Sequence, residues 1–273
     1  MRVRGVDLAL RESGEGRPFF WGHGLLGSMA QEDAAALLDW RELSREARLL
    51  RWDARGHGGS EATLDPAQYR WPELAADLLA LADAVGADRA VLGGLSMGCA
   101  TALHAAVLAP GRVDALVLVA PPTAWRTRPR QARVYRWLAA VIGRLGLAPF
   151  RFVASLGGRA AAGHLAELQR SVLDQLRWAD RRAVAAALRG AAASDLPAPA
   201  ALQSVRAPAL VLAWRGDPAH PISTAERLAE CLPQADLRIA ATLAEVRAWS
   251  PAIREFLAAL SRRRPRGDSR PRG

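Results

Sequence analysis

The sequence contains no lysine. All 37 of its cationic residues other than histidine are arginine, and with 27 acidic residues the formal net charge is +10. The arginines are scattered, apart from a C-terminal cluster and a mid-chain segment, and alanine is abundant. This combination indicates a coding bias toward arginine and alanine rather than selection for a nucleic-acid surface, so we expect no nucleic-acid partner.

Cysteine is scarce, and long apolar runs are missing. Cys99 and Cys231 are the only cysteines, and their spacing does not suit a metal site. The first seven residues include no apolar signal-peptide core, and no stretch reaches the ~18 uninterrupted apolar residues of a membrane-spanning helix. These absences predict a cytoplasmic protein with no membrane partner, and nothing in the sequence implies a metal or a cofactor.

Strand-like and helical segments alternate along most of the chain. Because continuous apolar strands separated by helices are typical of a parallel sheet covered on both faces, residues 1–122 and 203–260 predict an α/β core with a mostly parallel central sheet. Residues 123–202 are helical in pattern and rich in arginine, which predicts a helical cap over the carboxyl ends of the strands, where ligands bind in such sheets. Residues 261–273 are predicted to be a disordered basic tail.

Residues 90–100 are the most informative segment. An apolar run meets Gly94-Leu95-Ser96-Met97-Gly98 and passes at once into an alanine-rich helical segment. A serine placed there lies on a sharp, strained turn that leaves no room for side chains on either side, which explains the flanking glycines. Backbone N–H groups at the start of the following helix stabilise negative charge at the same place. The pattern favours a nucleophile elbow over an ordinary glycine-rich turn.

Four segments, in order and at compatible spacing, resemble the signature segments of the α/β-hydrolase superfamily, and the resemblance extends over about residues 3–260. These are the His23-Gly24 loop, Asp53-x-Arg55-Gly56-His57-Gly58-x-Ser60, Gly94-x-Ser96-x-Gly98, and Gly216-Asp217 with Pro221 four residues later. The resemblance implies that Ser96 is a nucleophile and that the backbone N–H groups of Leu25 and Met97 form an oxyanion hole. It also implies that Asp217 orients a histidine, although an aspartate before a proline also suits a simple turn or cap.

The sequence departs from the family at the catalytic base. In the family a histidine follows the last strand, but residues 241–247 contain none, and no histidine follows His220. A serine hydroxyl is a poor nucleophile without a base, and in one serine protease loss of the histidine costs ~10⁶ in turnover. His220 lies three residues after Asp217 on a loop expected beside the elbow. It either takes the base position in a displaced triad or lines the pocket.

The other histidines and one glutamate are weaker candidates. His23 is either the base or a residue that shapes its loop, and His57 suits a structural role in its turn. His104 lies about two helical turns beyond the serine, and His164 either faces the pocket or lies on the cap surface. Glu245 lies near the position of the missing histidine, where it is a weak base unless burial raises its pKa, or a solvated residue at a helix N-terminus.

These features predict a serine hydrolase that cleaves a small carboxylic ester, thioester or lactone. Two alternatives stay open: a hydrolase-fold protein that binds a small molecule or a partner without turnover, and a lyase or cyclase that uses the same pocket. Aromatic residues and arginines in the cap suit a substrate with an apolar body, and an anionic group on it is a hypothesis from composition alone. The aromatic residues are Trp125, Tyr135, Trp137, Phe150, Phe152 and Trp178.

Overall fold

The computed structural model describes residues 1–147, 180–217 and 219–262. Most of the predicted basic tail and four of the cap residues considered above lie outside these ranges: Phe150, Phe152, His164 and Trp178. Ser261 and Arg262, the first two residues of the predicted tail, instead belong to the last helix. The boundaries of the cap stay a prediction.

A seven-stranded sheet forms the centre of the molecule. Its strands are β3 (Leu10–Ser13), β4 (Pro18–Gly22), β5 (Arg48–Trp52), β6 (Ala90–Leu95), β7 (Val113–Val119), β8 (Ala209–Trp214) and β9 (Ala235–Ala240), and β1 (Arg2–Val3) pairs separately with β2 (Val6–Asp7). The strand order is β3-β5-β4-β6-β7-β8-β9. Within the seven-stranded sheet, as far as the structure describes it, β3 is the one strand that runs antiparallel to its neighbour. The predicted mostly parallel sheet is confirmed, and the loops after β4, β6 and β8 therefore open at one edge.

Helices cover both faces of this sheet. The described helices are α1 (Met29–Ala35), α2 (Trp40–Leu43), α3 (Trp71–Ala84), α4 (Met97–Leu108), α5 (Arg128–Leu145), α6 (Arg181–Ala192), α7 (Pro199–Leu202), α8 (Ile222–Cys231), α9 (Leu243–Arg247) and α10 (Trp249–Arg262). Alternate residues of β7 face opposite sides: Leu116 and Leu118 belong to the core with α3 and α4, whereas Val117 and Val119 belong to the core with α10. None of the described helices is long and apolar enough to cross a bilayer.

The segment after Ser28 forms two helices rather than one. Ser28 caps α1 as expected, because its hydroxyl accepts a backbone N–H of the first turn at 3.1 Å. The sequence predicts a single helix that Ser28 caps and that runs to about Arg45, and the length of that prediction is wrong. Ala36 adopts a left-handed conformation (φ +46°) that ends α1, and the Asp39 carboxylate then accepts two backbone N–H groups and starts α2.

Helices α5 and α6 pack against each other above the carboxyl edge of the sheet. Their shared apolar cluster includes Ile142, Val184 and Leu188. Leu25 and Leu26, from the loop after β4, pack against this cluster. The helical part of the cap segment that the structure describes thus lies directly against the predicted oxyanion loop.

Candidate active site

Ser96 occupies a tight turn between β6 and α4. Its backbone lies at φ +53° and ψ −103°, a conformation that L-residues rarely adopt, and its N–H donates to the Val119 carbonyl at 3.0 Å. A Cβ added to Gly98 would lie 2.0 Å from the Gly22 oxygen, and one added to Gly94 would lie 2.3 Å from the same atom. The steric need for glycine on both sides of the serine, predicted from the sequence, is therefore present.

The loop after β8 brings a histidine and a carboxylate to this serine. His220 Nε2 lies 2.8 Å from Ser96 Oγ, and His220 Nδ1 lies 2.7 Å from Asp217 Oδ2. Both side chains of the loop are about one-fifth exposed, at 23% and 19%. When Nδ1 donates its hydrogen to Asp217, Nε2 is left to accept the hydrogen of the Ser96 hydroxyl. The three residues thus form a continuous chain of two hydrogen bonds.

Asp217 also fixes the loop that carries His220. Its Oδ1 accepts the N–H of Ala219 at 2.8 Å and that of His220 at 3.3 Å, which closes a local turn. Burial raises the pKa of the Asp217 carboxyl, but the hydrogen bond and charge of the His220 ring, together with these two N–H groups, outweigh burial and lower it. The turn role and the histidine-orienting role proposed for this aspartate are therefore geometrically compatible.

The backbone of the loop after β4 packs closely against Ser96. A Cβ added to Gly24 would lie 3.7 Å from Ser96 Cβ. The Gly24 carbonyl accepts the N–H of Gly27 at 2.9 Å, and Leu26 within this turn has φ +61°. A leucine in a left-handed conformation raises the free energy of the folded state by on the order of 1–2 kcal/mol. Packing of the loop against the apolar cluster of α5 and α6 must offset that strain.

Two backbone N–H groups, those of Leu25 after Gly24 and of Met97 after Ser96, have no hydrogen-bond acceptor among the described residues. The Met97 N–H is the first of α4. Unpaired N–H groups at the start of a helix and in a tight loop suit an anionic oxygen. The oxyanion-hole role of these two N–H groups stays a prediction.

His23 is not at the base position. Its side chain is buried, with Nδ1 2.7 Å from the Gly24 carbonyl and Nε2 accepting the Ala54 N–H at 3.0 Å. Burial lowers the pKa of His23 to about 4, so it is neutral near pH 7. His23 therefore braces the loop after β4, the second of the two roles predicted for it.

Asp53, the first residue of the Asp53-x-Arg55-Gly56-His57-Gly58-x-Ser60 segment, has a bracing role that the sequence pattern did not assign to it. Its Oδ1 accepts the Met29 N–H at 2.6 Å and its Oδ2 accepts the Gly59 N–H at 2.9 Å. It thereby ties the start of α1 to the glycine-rich turn after β5. An aspartate directly before a turn of closely spaced glycines was the signal available in the sequence.

The remaining candidates that the structure describes make no hydrogen bond with Ser96. His57 Nδ1 lies 2.8 Å from the Arg55 carbonyl, and His104 Nε2 lies 2.9 Å from the Asp195 carbonyl, so both histidines hold backbone in place. The Glu245 carboxylate accepts the Ala241 N–H at 2.8 Å and forms a capping box at the start of α9. His164 lies outside the described residues.

Comparisons with known proteins place the chain in a family. A family model described as alpha/beta hydrolase fold matches residues 18–142. Over 265 residues the chain is 30% identical to the RutD protein of Variovorax paradoxus, and the alignment covers 90% of this chain and 94% of that protein. The name of that protein provisionally assigns it as a carbamate hydrolase. The chain belongs to the α/β-hydrolase superfamily.

Solved α/β hydrolases share the whole architecture. A thermophilic esterase from Thermogutta terrifontis superposes with a TM-score of 0.77 at 26% identity, over 93% of this chain and 94% of that one. The enol-lactonase of Burkholderia xenovorans gives a TM-score of 0.77 at 23% identity, over 93% and 98% of the two chains. At this second level of identity the likeness concerns the fold alone.

Ser96, Asp217 and His220 follow the chain order that is usual in the superfamily, with the serine first and the histidine last. The departure concerns the position of the histidine, which in the family follows the last strand. Here Asp217 and His220 lie on one loop, and the segment after β9 carries the Glu245 capping box instead. Among the described residues, no cluster of histidine, cysteine, aspartate and glutamate side chains could hold a metal ion.

The arginines of α5 give no support to an anionic substrate. Arg128 is buried, donates to the carbonyls of Ser194 and Ala191, and packs over the Trp71 ring. The other arginines of α5 are exposed and make no hydrogen bond or ion pair with Ser96 or its two partners. The anionic group of the substrate stays a hypothesis.

Acid is expected to destabilise this α/β hydrolase. Burial lowers the pKa of both His23 and His57 to about 4, against ~6.5 in an unfolded chain. The unfolded state therefore binds more protons below about pH 6.5, and the free energy of unfolding falls as pH drops toward 4, by on the order of 3 kcal/mol per histidine. Burial raises the pKa of Glu32 to about 7, which opposes this loss in part.

Urea denaturation at about pH 7, 5.5 and 4.5 measures this dependence. We expect the midpoint to fall across the series, and to fall less for His57→Gln, which removes one of the two buried imidazoles. A midpoint that is constant or rises toward acid pH contradicts the prediction.

Proposed function

We propose that the protein is a serine hydrolase that cleaves small carboxylic esters, thioesters or lactones. The observation that carries the proposal is the chain of two hydrogen bonds, at 2.8 and 2.7 Å, that links Ser96 to Asp217 through His220. In this assignment Ser96 is the nucleophile, His220 the general base and Asp217 the group that orients and stabilises its imidazolium form.

In the acylation step, Ser96 Oγ attacks the carbonyl carbon while its proton passes to His220 Nε2. The carbonyl oxygen becomes an oxyanion that accepts hydrogen bonds from the N–H groups of Leu25 and Met97, each worth ~3–4 kcal/mol in a comparable site. The tetrahedral intermediate then collapses, and the alcohol or thiol leaves with the proton from His220. Ser96 is left as an acyl ester.

In the deacylation step, water attacks the acyl ester and gives a proton to His220. Collapse of the second tetrahedral intermediate returns that proton to Ser96 Oγ and releases the carboxylic acid. With a lactone, the leaving alkoxide stays attached to the acyl group, so the product is a hydroxy acid. Both steps use only groups present in this chain and water.

The surroundings of the serine favour an acyl group with an apolar body. Leu25 and Leu26 pack against the cluster of α5 and α6, together with Tyr135 and Leu138. The Thermogutta structure at 26% identity is named an esterase, and the RutD relative is named for carbamate hydrolysis, which is also transfer of an acyl group to water. These names support acyl transfer, and the ester class is our proposal.

A fluorophosphonate probe tests whether Ser96 is an activated nucleophile. We expect the folded protein to react at one site and peptide mass spectrometry to find the phosphonate on Ser96, because only an activated serine attacks such a probe quickly. Ser96→Ala should abolish labelling, whereas Ser204→Ala, which removes an exposed serine distant in sequence, should leave it unchanged. Absence of labelling in the folded protein, or labelling that survives Ser96→Ala, overturns the proposal.

A further inference from the structure

Helix α5 carries a concentration of positive charge that the proposed hydrolase chemistry does not use. The helix contains no acidic residue, and its exposed arginines are Arg130, Arg133, Arg136 and Arg144. None of the four guanidinium groups makes a hydrogen bond or ion pair with the part of the chain that the structure describes. Elsewhere on the molecule several exposed arginines are paired, such as Arg2 with Asp7 at 3.0 Å.

The same outer face also exposes large apolar side chains. Trp137 is 64% exposed, Leu145 66% and Val134 42%. Successive residues of an α-helix are rotated by about 100° around its axis. Arg130, Trp137 and Arg144 therefore lie within about 20° of one line parallel to the axis, and the distance along this line from Arg130 to Arg144 is about 21 Å. We call these three residues, with Arg133 and Val134 one turn before the tryptophan, the outer stripe.

The opposite side of α5 is already occupied. Ala139 and Ile142 are fully buried against α6, and Tyr135 and Leu138 pack into the same cluster. Packing within the fold therefore accounts for the inner face of the helix. It does not account for an exposed tryptophan flanked by arginines that have no partner among the described residues.

We infer that the outer stripe docks α5 flat on the surface of an anionic phospholipid bilayer. A helix that places arginines beside tryptophan and aliphatic side chains on one face suits the boundary between headgroups and acyl chains. The arginines meet lipid phosphates, while the Trp137 ring and the Val134 side chain enter the apolar edge of the headgroup layer. Exposed apolar surface favours a bilayer over duplex nucleic acid, which offers phosphates but no apolar layer. The inference departs from the sequence-based expectation of no membrane partner. That expectation depended on the lack of a signal-peptide core and of a membrane-spanning run, and a surface-bound helix needs neither.

Cosedimentation of the full-length protein with vesicles tests this inference. We expect binding to phosphatidylcholine vesicles that contain one third phosphatidylglycerol, weak binding to pure phosphatidylcholine, and release at high salt. The triple variant Arg130→Gln, Arg133→Gln, Arg144→Gln should bind the anionic vesicles at least ~10-fold and up to ~100-fold more weakly, because each arginine near such a surface contributes about 1 kcal/mol. The single variant Trp137→Ala should also weaken binding to the anionic vesicles, but it should leave the salt dependence of that binding unchanged.

A matched variant separates this face from the general positive charge of the chain. Arg45, Arg206 and Arg247 are exposed, lie outside α5 and have no ion pair among the described residues. Their triple change to Gln lowers the net charge equally and should leave binding within about two-fold, because the outer stripe is intact. Both triple variants should keep the unfolding midpoint of the parent protein and the same extent of fluorophosphonate labelling as the parent.

Three results would overturn the inference. The first is equal binding to neutral and anionic vesicles, or no binding to either at low salt. The second is an equal loss of binding in the two triple variants, which would assign attachment to overall charge. The third is an oligonucleotide that binds as tightly as the anionic vesicles and loses affinity on the same α5 substitutions, which would make the outer stripe a nucleic-acid face.

Discussion

Replacement of His220 by alanine is expected to lower kcat for a small ester by about 10⁴–10⁶-fold, with little change in KM. The histidine lies 2.8 Å from Ser96 Oγ and is the only described residue placed between that oxygen and a carboxylate. Without it the serine keeps its proton, and only binding and the oxyanion hole still favour the transition state. Steady-state kinetics on a chromogenic short-chain ester measure both parameters.

Two controls make this result specific. His104→Gln removes a histidine that holds backbone at Asp195 and makes no contact with the serine, so kcat should change by less than about three-fold. In a His220→Gly variant, added imidazole should restore part of the activity by entering the space left by the ring. Turnover that is unchanged in His220→Ala would rule out this histidine as the base and would favour a different base or a non-hydrolytic role for the pocket.

Gly98→Ala is expected to destabilise the fold and to abolish activity together. The added Cβ would lie 2.0 Å from the Gly22 oxygen and 2.6 Å from the Gly22 carbonyl carbon, and neither belongs to a side chain that can move aside. Overpacking of this kind costs about 1–3 kcal/mol or more, and β4 and the elbow must separate to relieve it. We expect a lower urea midpoint and loss of fluorophosphonate labelling.

Gly111→Ala is the matched control for that change. A Cβ added to Gly111 meets nothing within 4 Å, so the same substitution should leave the midpoint within about 0.5 kcal/mol of the parent and the labelling intact. If Gly98→Ala keeps both its stability and its labelling, the close contact between the elbow and β4 is not needed for the site.

Local patterns in the sequence were enough to predict the sheet and the elbow. A strand that is buried on both faces requires a continuous run of apolar residues. A turn without space for side chains requires glycine at the positions of Gly94 and Gly98 around Ser96. Both requirements act on residues that are neighbours in the sequence. The helix after Ser28 was predicted less well. Its end depends on a left-handed Ala36, a conformation that nothing in the local sequence requires.

The roles of the histidines could not be separated by sequence alone. His23 and His57 are each next to glycines in a loop, as a catalytic histidine can be, and only the tertiary structure shows both of them buried with a ring nitrogen at a backbone carbonyl. For His220 the three-residue spacing from Asp217 left two roles open. The direction of its side chain depends on a turn closed by the aspartate and on contacts of that loop with β9.

The sequence by itself determined the α/β-hydrolase fold, the position of Ser96 and the absence of a histidine after the last strand. It did so because strand periodicity, glycine spacing and residue identity are local. Only the tertiary structure decided which histidine reaches Ser96, since Ser96 and His220 are 124 residues apart and meet only when β6 and β8 bring their loops to the same edge of the sheet. A hydrogen bond between such distant residues depends on the packing of the whole sheet, which no local pattern records.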